Sequence, residues 1–320
     1  MASDKILYHY CSNDKLMNII NSKQLWMSDI SRSNDYNEMR LFYPDIFQAT
    51  EDCCANESFD FQYRDETGFK AIQRLLTDVF RRIDMSFVNG SLTSFVVCFS
   101  ENKDVLSQWR GYANDGSGCS LGFSRDGLKK YCRSNMDLIS LSKVNYLSKE
   151  QYDAVLLKEA SKIKERIKLL KKEILELFNS RALTDDENDA LKMILLYRTF
   201  CDFFRASLKY KSDSFKEESE WRLFFNKMSK DETTLYADEK TISDIKKEYD
   251  KEWKILHGKV DFYVRDDCLI PYFPMELSEV PIKSFVLGPK NTSHENDVRL
   301  LFAKKGLDFP EISRSQISYR

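Results

Sequence analysis

Residues 149 to 209 constrain the fold more than any other stretch. "YDAVLLKEASKIKERIKLLKKEILELF" and "DDENDALKMILLYRTFCDFFRASLKY" are rich in lysine and glutamate, carry apolar residues at helical spacing and are separated by "NSRALT". Two long helices joined by a short polar connection make a helical hairpin. The chain on either side is rich in strand-forming runs, so the hairpin is expected as an insertion at 149–209 within a single α+β domain spanning 1–320. Its charge run is first of all a solvated helix face. Its apolar faces lead to the further expectation of a homo-oligomer formed through the insertion.

The flanking halves read as strands and short helices. "KILYHY" (5–10) is a strand, followed by "SNDKLMNIINS" with Ser12 or Asn13 as N-cap and Leu16, Ile19 and Ile20 at helical spacing. "QLWMSD" (24–29) is a second strand, "SRSND" (31–35) supplies turn chemistry before a helix expected near Tyr36, and 50–63 reads as a polar loop. In 68–88, Phe69, Ile72, Leu75, Leu76, Val79, Phe80 and Ile83 mark an amphipathic helix. "SLTSFVVCFS" (91–100) is a buried strand, 101–118 a short helix with a glycine-rich turn, and "CSLGFS" (119–124) the next strand. Beyond the hairpin, a helix is expected around 240–254, strands within 259–273 and at 282–288, and a last helix near 291–305.

Charge excludes few partners. Lysine plus arginine (49) nearly balances aspartate plus glutamate (51), so a nucleic acid or membrane is not demanded, although a local basic face is compatible with the balance. No apolar run approaches the roughly 20 residues needed to cross a bilayer, and "MASDKILYHY" has no signal-peptide core, which points to a cytoplasmic protein with no membrane partner. The eight cysteines form no C-x-x-C pair, and the spacing of His9 and Cys11 lacks a second pair, so neither a disulfide framework nor a metal site is signalled.

"SFKEESEWRLFF" (214–225) carries the candidate chemistry. Strand alternation places Trp221, Leu223 and Phe225 on one face and Glu218, Glu220, Arg222 and Phe224 on the other, as if one face were core and the other a site. Along a strand Glu220 reaches Arg222 only diagonally, so a simple ion pair does not account for both acids. Paired carboxylates grip sugar hydroxyls where oxocarbenium-like charge develops. His9, at a strand end beside a capped helix, is either a satisfied structural histidine or a donor to a ribose hydroxyl. Ser100, Arg110 and Tyr112 lie between two core strands. Arg110 has the planar fork that suits a pyrophosphate, Tyr112 could cover a flat ring, and the glycines at 116 and 118 fit neither a Rossmann nor a P-loop pattern.

The ordered pieces "LYHYCS", "LWMSD", "ND", "CFSENKDVLSQWRGYANDGSG", "EESEWRLFF", "LIPYF", "VLGP" and "SQISYR" resemble, along nearly the whole chain, the bacterial domain-of-unknown-function family 2971. The layout is more distantly similar to the ADP-ribosyltransferase superfamily. That resemblance implies a split mixed β-sheet binding NAD as substrate, with "YHY" as the histidine-type opening and "ESE" as the E-x-E turn. Carried over, His9 would hold the NAD ribose, Ser100 would follow the middle strand, and Glu220 would be catalytic with Glu218 beside it; Arg110 and Tyr112, read from their own chemistry, would complete the dinucleotide site. The interval from Ser100 to Glu220 is stretched by the helical insertion, and only Tyr112 is placed to serve as the middle-strand tyrosine. The implied activity is an NAD-dependent ADP-ribosyltransferase or NAD glycohydrolase acting on a protein or nucleic-acid acceptor, in a bacterial toxin or anti-phage defence role. The alternative is a non-catalytic interaction or sensor module whose two glutamates solubilise a strand edge.

Overall fold

The computed structural model describes residues 5–32, 38–88, 90, 92, 94–135, 139–177, 183–225, 259–265 and 267–319. The helix expected around 240–254 lies outside them, as does Tyr36, where another helix was expected to begin; residues 38–44 are turn, and the helix that follows starts at Asp45. In chain order the first elements are β1 (Ile6–Cys11), α1 (Asn13–Ser22), β2 (Gln24–Asp29), α2 (Asp45–Cys54), β3 (Gln62–Tyr63), β4 (Glu66–Thr67) and α3 (Gly68–Val88). Next come β5 (Phe95–Ser100), α4 (Leu106–Tyr112), β6 (Cys119–Ser124), α5 (Arg125–Ser134), β7 (Ile139–Lys143), β8 (Asn145–Leu147), α6 (Lys149–Leu177), α7 (Asp185–Ser207), β9 (Tyr210–Ser212) and β10 (Glu220–Phe225). The chain closes with β11 (Asp261–Arg265), β12 (Cys268–Glu276), β13 (Ile282–Leu287), the helix Glu295–Lys305 and β14 (Glu311–Arg314).

The fold is α+β around a mixed, mostly antiparallel ten-stranded sheet, whose one parallel pair among the described residues is β13 with β14; β8 and β9 pair in parallel in a separate two-stranded sheet. At β5 the sheet forks. Phe95 and Val96 pair with β2, Ser100 pairs with Tyr8 of β1, and β10 runs antiparallel along the opposite edge. Alternation then sorts the side chains. Leu7, Val97, Phe99, Leu121, Phe123, Leu223, Phe225 and Phe285 build a core on one face with α1, α5 and the last helix.

Two separate apolar clusters cover the other face. Helices α2, α3, α6 and α7 pack over Val96 and Phe224, while Trp109 and Ala113 of the α4 region pack over Tyr10 and Val286. Helix α6 supplies Ala160, Ile163, Ile167, Leu170 and Ile174, alternating steps of three and four that keep one stripe inward. Thr184 and Glu187 close a reciprocal capping box at the start of α7. The apolar faces from which self-association was expected are thus packed against α2 and α3, with Leu157 and Leu169 left exposed on α6.

Several local expectations are corrected. Residues 45–54 are helical, so the loop expected over 50–63 starts later; Ile46, Phe47, Ala49, Thr50 and Cys54 are buried at helical spacing that the surrounding polar residues obscure. The tail after the last helix forms β14 on the edge of β13. Among the described residues no helix is long and apolar enough to cross a membrane.

Candidate functional site

The gap between the two covers on that sheet face is where the polar residues gather. Direct cross-strand partners share a face, and Ser284, Gly122, Tyr8, Ser100 and Glu220 are successive partners across β13, β6, β1, β5 and β10. Gly122 is required in that row: a Cβ there would lie 2.7 Å from Ile6 Cγ2, 2.8 Å from Ser284 Cβ and 3.0 Å from Tyr8 Cε1. The row therefore ends on a carboxylate, with Ser100 beside it.

Glu218 does not belong to the strand alternation. A short 3₁₀ turn runs Asp213–Glu218 and Ser219 takes a left-handed conformation (φ 45°), so β10 begins only at Glu220. The turn nevertheless returns Glu218 to the same cluster. Its carboxylate accepts from the Tyr112 hydroxyl at 3.2 Å and from Lys211 Nζ at 2.7 Å, and its carbonyl accepts from Ser100 Oγ at 2.7 Å.

Glu220 and Arg222 point the same way two residues apart. Arg222 Nε donates to Glu220 Oε1 at 2.7 Å and Nη2 donates to Oε2 at 3.0 Å, which corrects the expectation that the pair meets only diagonally. A planar fork suits this two-oxygen geometry. Arg222 is fully buried and also donates to Glu38 Oε1 at 2.9 Å and to the Leu208 carbonyl at 3.1 Å. Lys211 Nζ lies 3.6 Å from Glu220 and 3.8 Å from Glu38. The Tyr146 hydroxyl accepts from the Glu220 amide at 2.8 Å.

Three carboxylates thus face two cations, leaving one net negative charge in a shielded setting. Burial pushes the Glu220 carboxyl up, but Arg222 and Lys211 outweigh it and hold the group below the usual carboxylate range. Burial likewise opposes the Lys211 ammonium, and Glu220 and Glu218 overcome it and raise its pKa. Burial, reinforced by the charge of Glu220, pushes the Cys98 thiol well up. Burial and then Glu218 raise the Tyr112 phenol, which stays a neutral donor. The cluster is shielded without being sealed: Tyr112 is 48% exposed and Phe215 40%, with Lys211 Nζ 4.4 Å from the Phe215 ring centre. Two aromatic rings rim a negative floor.

Four of the six residues singled out in the sequence therefore meet: Glu218, Glu220, Ser100 and Tyr112. His9 and Arg110 point elsewhere. His9 is on the opposite sheet face, where its ring stands edge-on to Phe99 and Nδ1 donates to the Cys98 carbonyl at 3.0 Å. That carbonyl faces the fork between β1 and β2, so the imidazole supplies the bond that a continuous strand would have made. Burial lowers the His9 pKa to about 4, so the ring is neutral. Arg110, two residues from Tyr112 on α4, is exposed and lies 5.9 Å from the Tyr319 ring centre. A two-residue step turns a helix by roughly 200°, which is why the two side chains diverge.

Glu38, Lys211 and Tyr146 were not legible as site residues. Only Arg222 left a signal, the alternation of E-x-R within one strand. Residues 108–223 match the model of a protein family described as Protein of unknown function (DUF2971), a little over a third of the chain. The matched segment contains Arg110, Tyr112, Lys211, Glu218, Glu220 and Arg222, whereas His9 and Ser100 fall outside it. No curated protein and no solved structure matches the chain.

Proposed function

We propose that this cluster acts on the N-glycosidic bond of NAD, as an ADP-ribosyltransferase or NAD glycohydrolase. The observation that carries the reading is the ionised Glu220 held beside Glu218 at the start of β10, under a rim of two exposed aromatic rings. As the bond from ribose C1′ to nicotinamide nitrogen breaks, its electron pair leaves with nicotinamide and positive charge develops on the ribose. A carboxylate already ionised and fixed by Arg222 offers charge where it develops, without reorganising. Glu220 would accept from a ribose hydroxyl, and Glu218 would take the proton of the attacking acceptor or water. Tyr112 and Phe215 would border the flat ring, and Lys211, beside both carboxylates, is nearer than Arg110 to any phosphate entering there. The negative floor fits an oxidised, cationic nicotinamide ring. The distant ADP-ribosyltransferase resemblance and a bacterial toxin or anti-phage role belong to this proposal.

A second reading has a specific observation in its favour. Arg222 occupies both Glu220 oxygens, the arrangement of a purely structural ion network in a non-catalytic interaction or sensor module. Labelled NAD incubated with purified protein and cell lysate separates the two. Nicotinamide release or label transfer that is lost in a folded Glu220→Gln variant supports the enzyme. Folded native protein that neither binds nor cleaves NAD supports the module and removes the enzyme.

A further inference from the structure

At the same end of the sheet as Glu220, but on the opposite face, a different set of charges collects. The β10 start, the β5 end, the β7 end and the β1 start meet there, and so does the first residue of α5. Glu101 accepts from Trp221 Nε1 at 2.8 Å and from Lys143 Nζ at 2.7 Å. Lys5 adds its field to the same carboxylate, and the Lys5 carbonyl accepts from the Arg125 amide at 2.8 Å. The Arg125 guanidinium carbon lies 5.8 Å from the Trp221 ring centre, and its buried Nε has no hydrogen-bond partner.

Helix α5 extends this cluster. Arg125, Lys129 and Arg133 recur every four residues, about 6 Å apart along one face, with Lys130 alongside. Six cations (Lys5, Arg125, Lys129, Lys130, Arg133 and Lys143) stand against Glu101 and Asp126 on a protein whose formal net charge is −2. Glu276 and Glu279, also close to α5, lie toward Tyr131 on its buried side.

From this surface we infer that α5 and the Glu101–Trp221 corner bind the phosphate backbone of a nucleic acid, with Arg125 at the junction. A row of cations ending beside an aromatic ring is the combination that tracks a polyphosphate chain and meets a base. A lipid surface fits less well, because α5 has no exposed large apolar side chain to insert: Leu128, Tyr131 and Cys132 are all buried. The surface lies at the same sheet end as the carboxylate cluster, so the bound strand would be the natural acceptor under the NAD reading. The binding itself is independent of that reading.

The test is fluorescence anisotropy of short labelled single-stranded DNA and RNA with the full chain over a salt series, beside vesicles of anionic lipid and an acidic peptide. The comparison is Lys129→Ala/Lys130→Ala/Arg133→Ala against Lys70→Ala/Lys149→Ala/Lys158→Ala, which removes equal charge from α3 and α6. Native protein and the control triple should bind oligonucleotide with affinity falling steeply in salt. The α5 triple should lose at least roughly tenfold, with a log–log salt slope shallower by about two. Absence of oligonucleotide binding, equal loss in both triples, or retention of vesicles or peptide in place of oligonucleotide would each overturn the inference. Glu220→Gln should bind oligonucleotide as the native chain does, so failure of the NAD chemistry and failure of this surface are read separately.

Discussion

Replacing Arg222 by methionine exposes the energetics of the carboxylate cluster. The guanidinium is completely buried and makes four contacts of 2.7 to 3.1 Å, to Glu220, Glu38 and Leu208. Methionine fills much of the volume but leaves Glu38, Glu218 and Glu220 facing Lys211 alone. Removing one partner of a buried pair strands the other charge and costs about 3–5 kcal/mol. At a urea slope of about 3 kcal/mol/M the unfolding midpoint should fall by roughly 1–1.7 M at neutral pH. The pH dependence tests the cause. In the native protein Glu220 is held below the usual carboxylate range, so it stabilises the fold above the unfolded-state carboxyl pKa and that contribution is lost as pH falls through the folded value. Without Arg222, burial dominates and pushes the same carboxyl up. The folded state then retains a proton that the unfolded state releases, and the deficit of Arg222→Met grows with pH and shrinks toward about pH 5. Adding Glu220→Leu removes the stranded charge and should recover at least about half of the loss. A midpoint change worth under about 1 kcal/mol, or a deficit flat from about pH 5 to pH 8, would refute the reasoning.

Other outcomes follow from neighbouring geometry. His9, neutral in the fold with its pKa lowered to about 4, stabilises the protein above the unfolded histidine value of about 6.5; up to about 3 kcal/mol is lost as pH falls between the two. His9→Asn keeps a donor near the Cys98 carbonyl without titrating, so pH-dependent denaturation should show a shallower acid slope, and an unchanged slope would place the titration elsewhere. Tyr112→Phe deletes one 3.2 Å bond from a half-exposed side chain and should change stability by less than about 1 kcal/mol; under the proposed NAD reaction it should also lower turnover, and undiminished turnover would remove the phenol from that proposal. Gly122→Ala should cost about 1–3 kcal/mol by overpacking, and Gly118→Ala more, because the new Cβ would lie 2.2 Å from the Cys11 backbone oxygen. Thermal unfolding with the order reversed would contradict the close approach at 118.

Helices and strands were legible where the apolar period was long and regular. The 68–88 helix and the strand at 119–124 have the bounds the sequence predicts, because every turn or pleat repeats the signal. Helix α2 was placed too early, near Tyr36, and its last turn was read as loop, because polar residues dilute its five buried positions; β7, β8 and β9 were missed because pieces of three to five residues carry too little periodicity. In the site, the pairing of Glu220 with Arg222 was half visible in their two-residue spacing. Lys211 and Glu38 were not, since only the folded chain brings them within 4 Å of carboxylate or guanidinium. Reading Glu218 as part of the strand failed at one residue: Ser219, with φ 45°, breaks the alternation just before β10.

The helical insertion is tied to the cluster more closely than its surface composition suggests. Leu208 follows α7 directly and gives its carbonyl to Arg222; three residues later Lys211 reaches Glu218. From the other cover, α4 brings Tyr112 to the same carboxylate. That segment is held by Asp104, which accepts from Trp109 Nε1 at 2.7 Å, Ser315 Oγ at 2.6 Å and the Gln316 amide at 2.8 Å. Glu218 therefore stands where the end of the insertion and a segment fastened to the C-terminal tail converge. A carboxylate with a lysine from one cover and a phenol from the other cannot keep both bonds if the covers separate. Its geometry depends on the packing of α6 and α7 as much as on the strand that follows it.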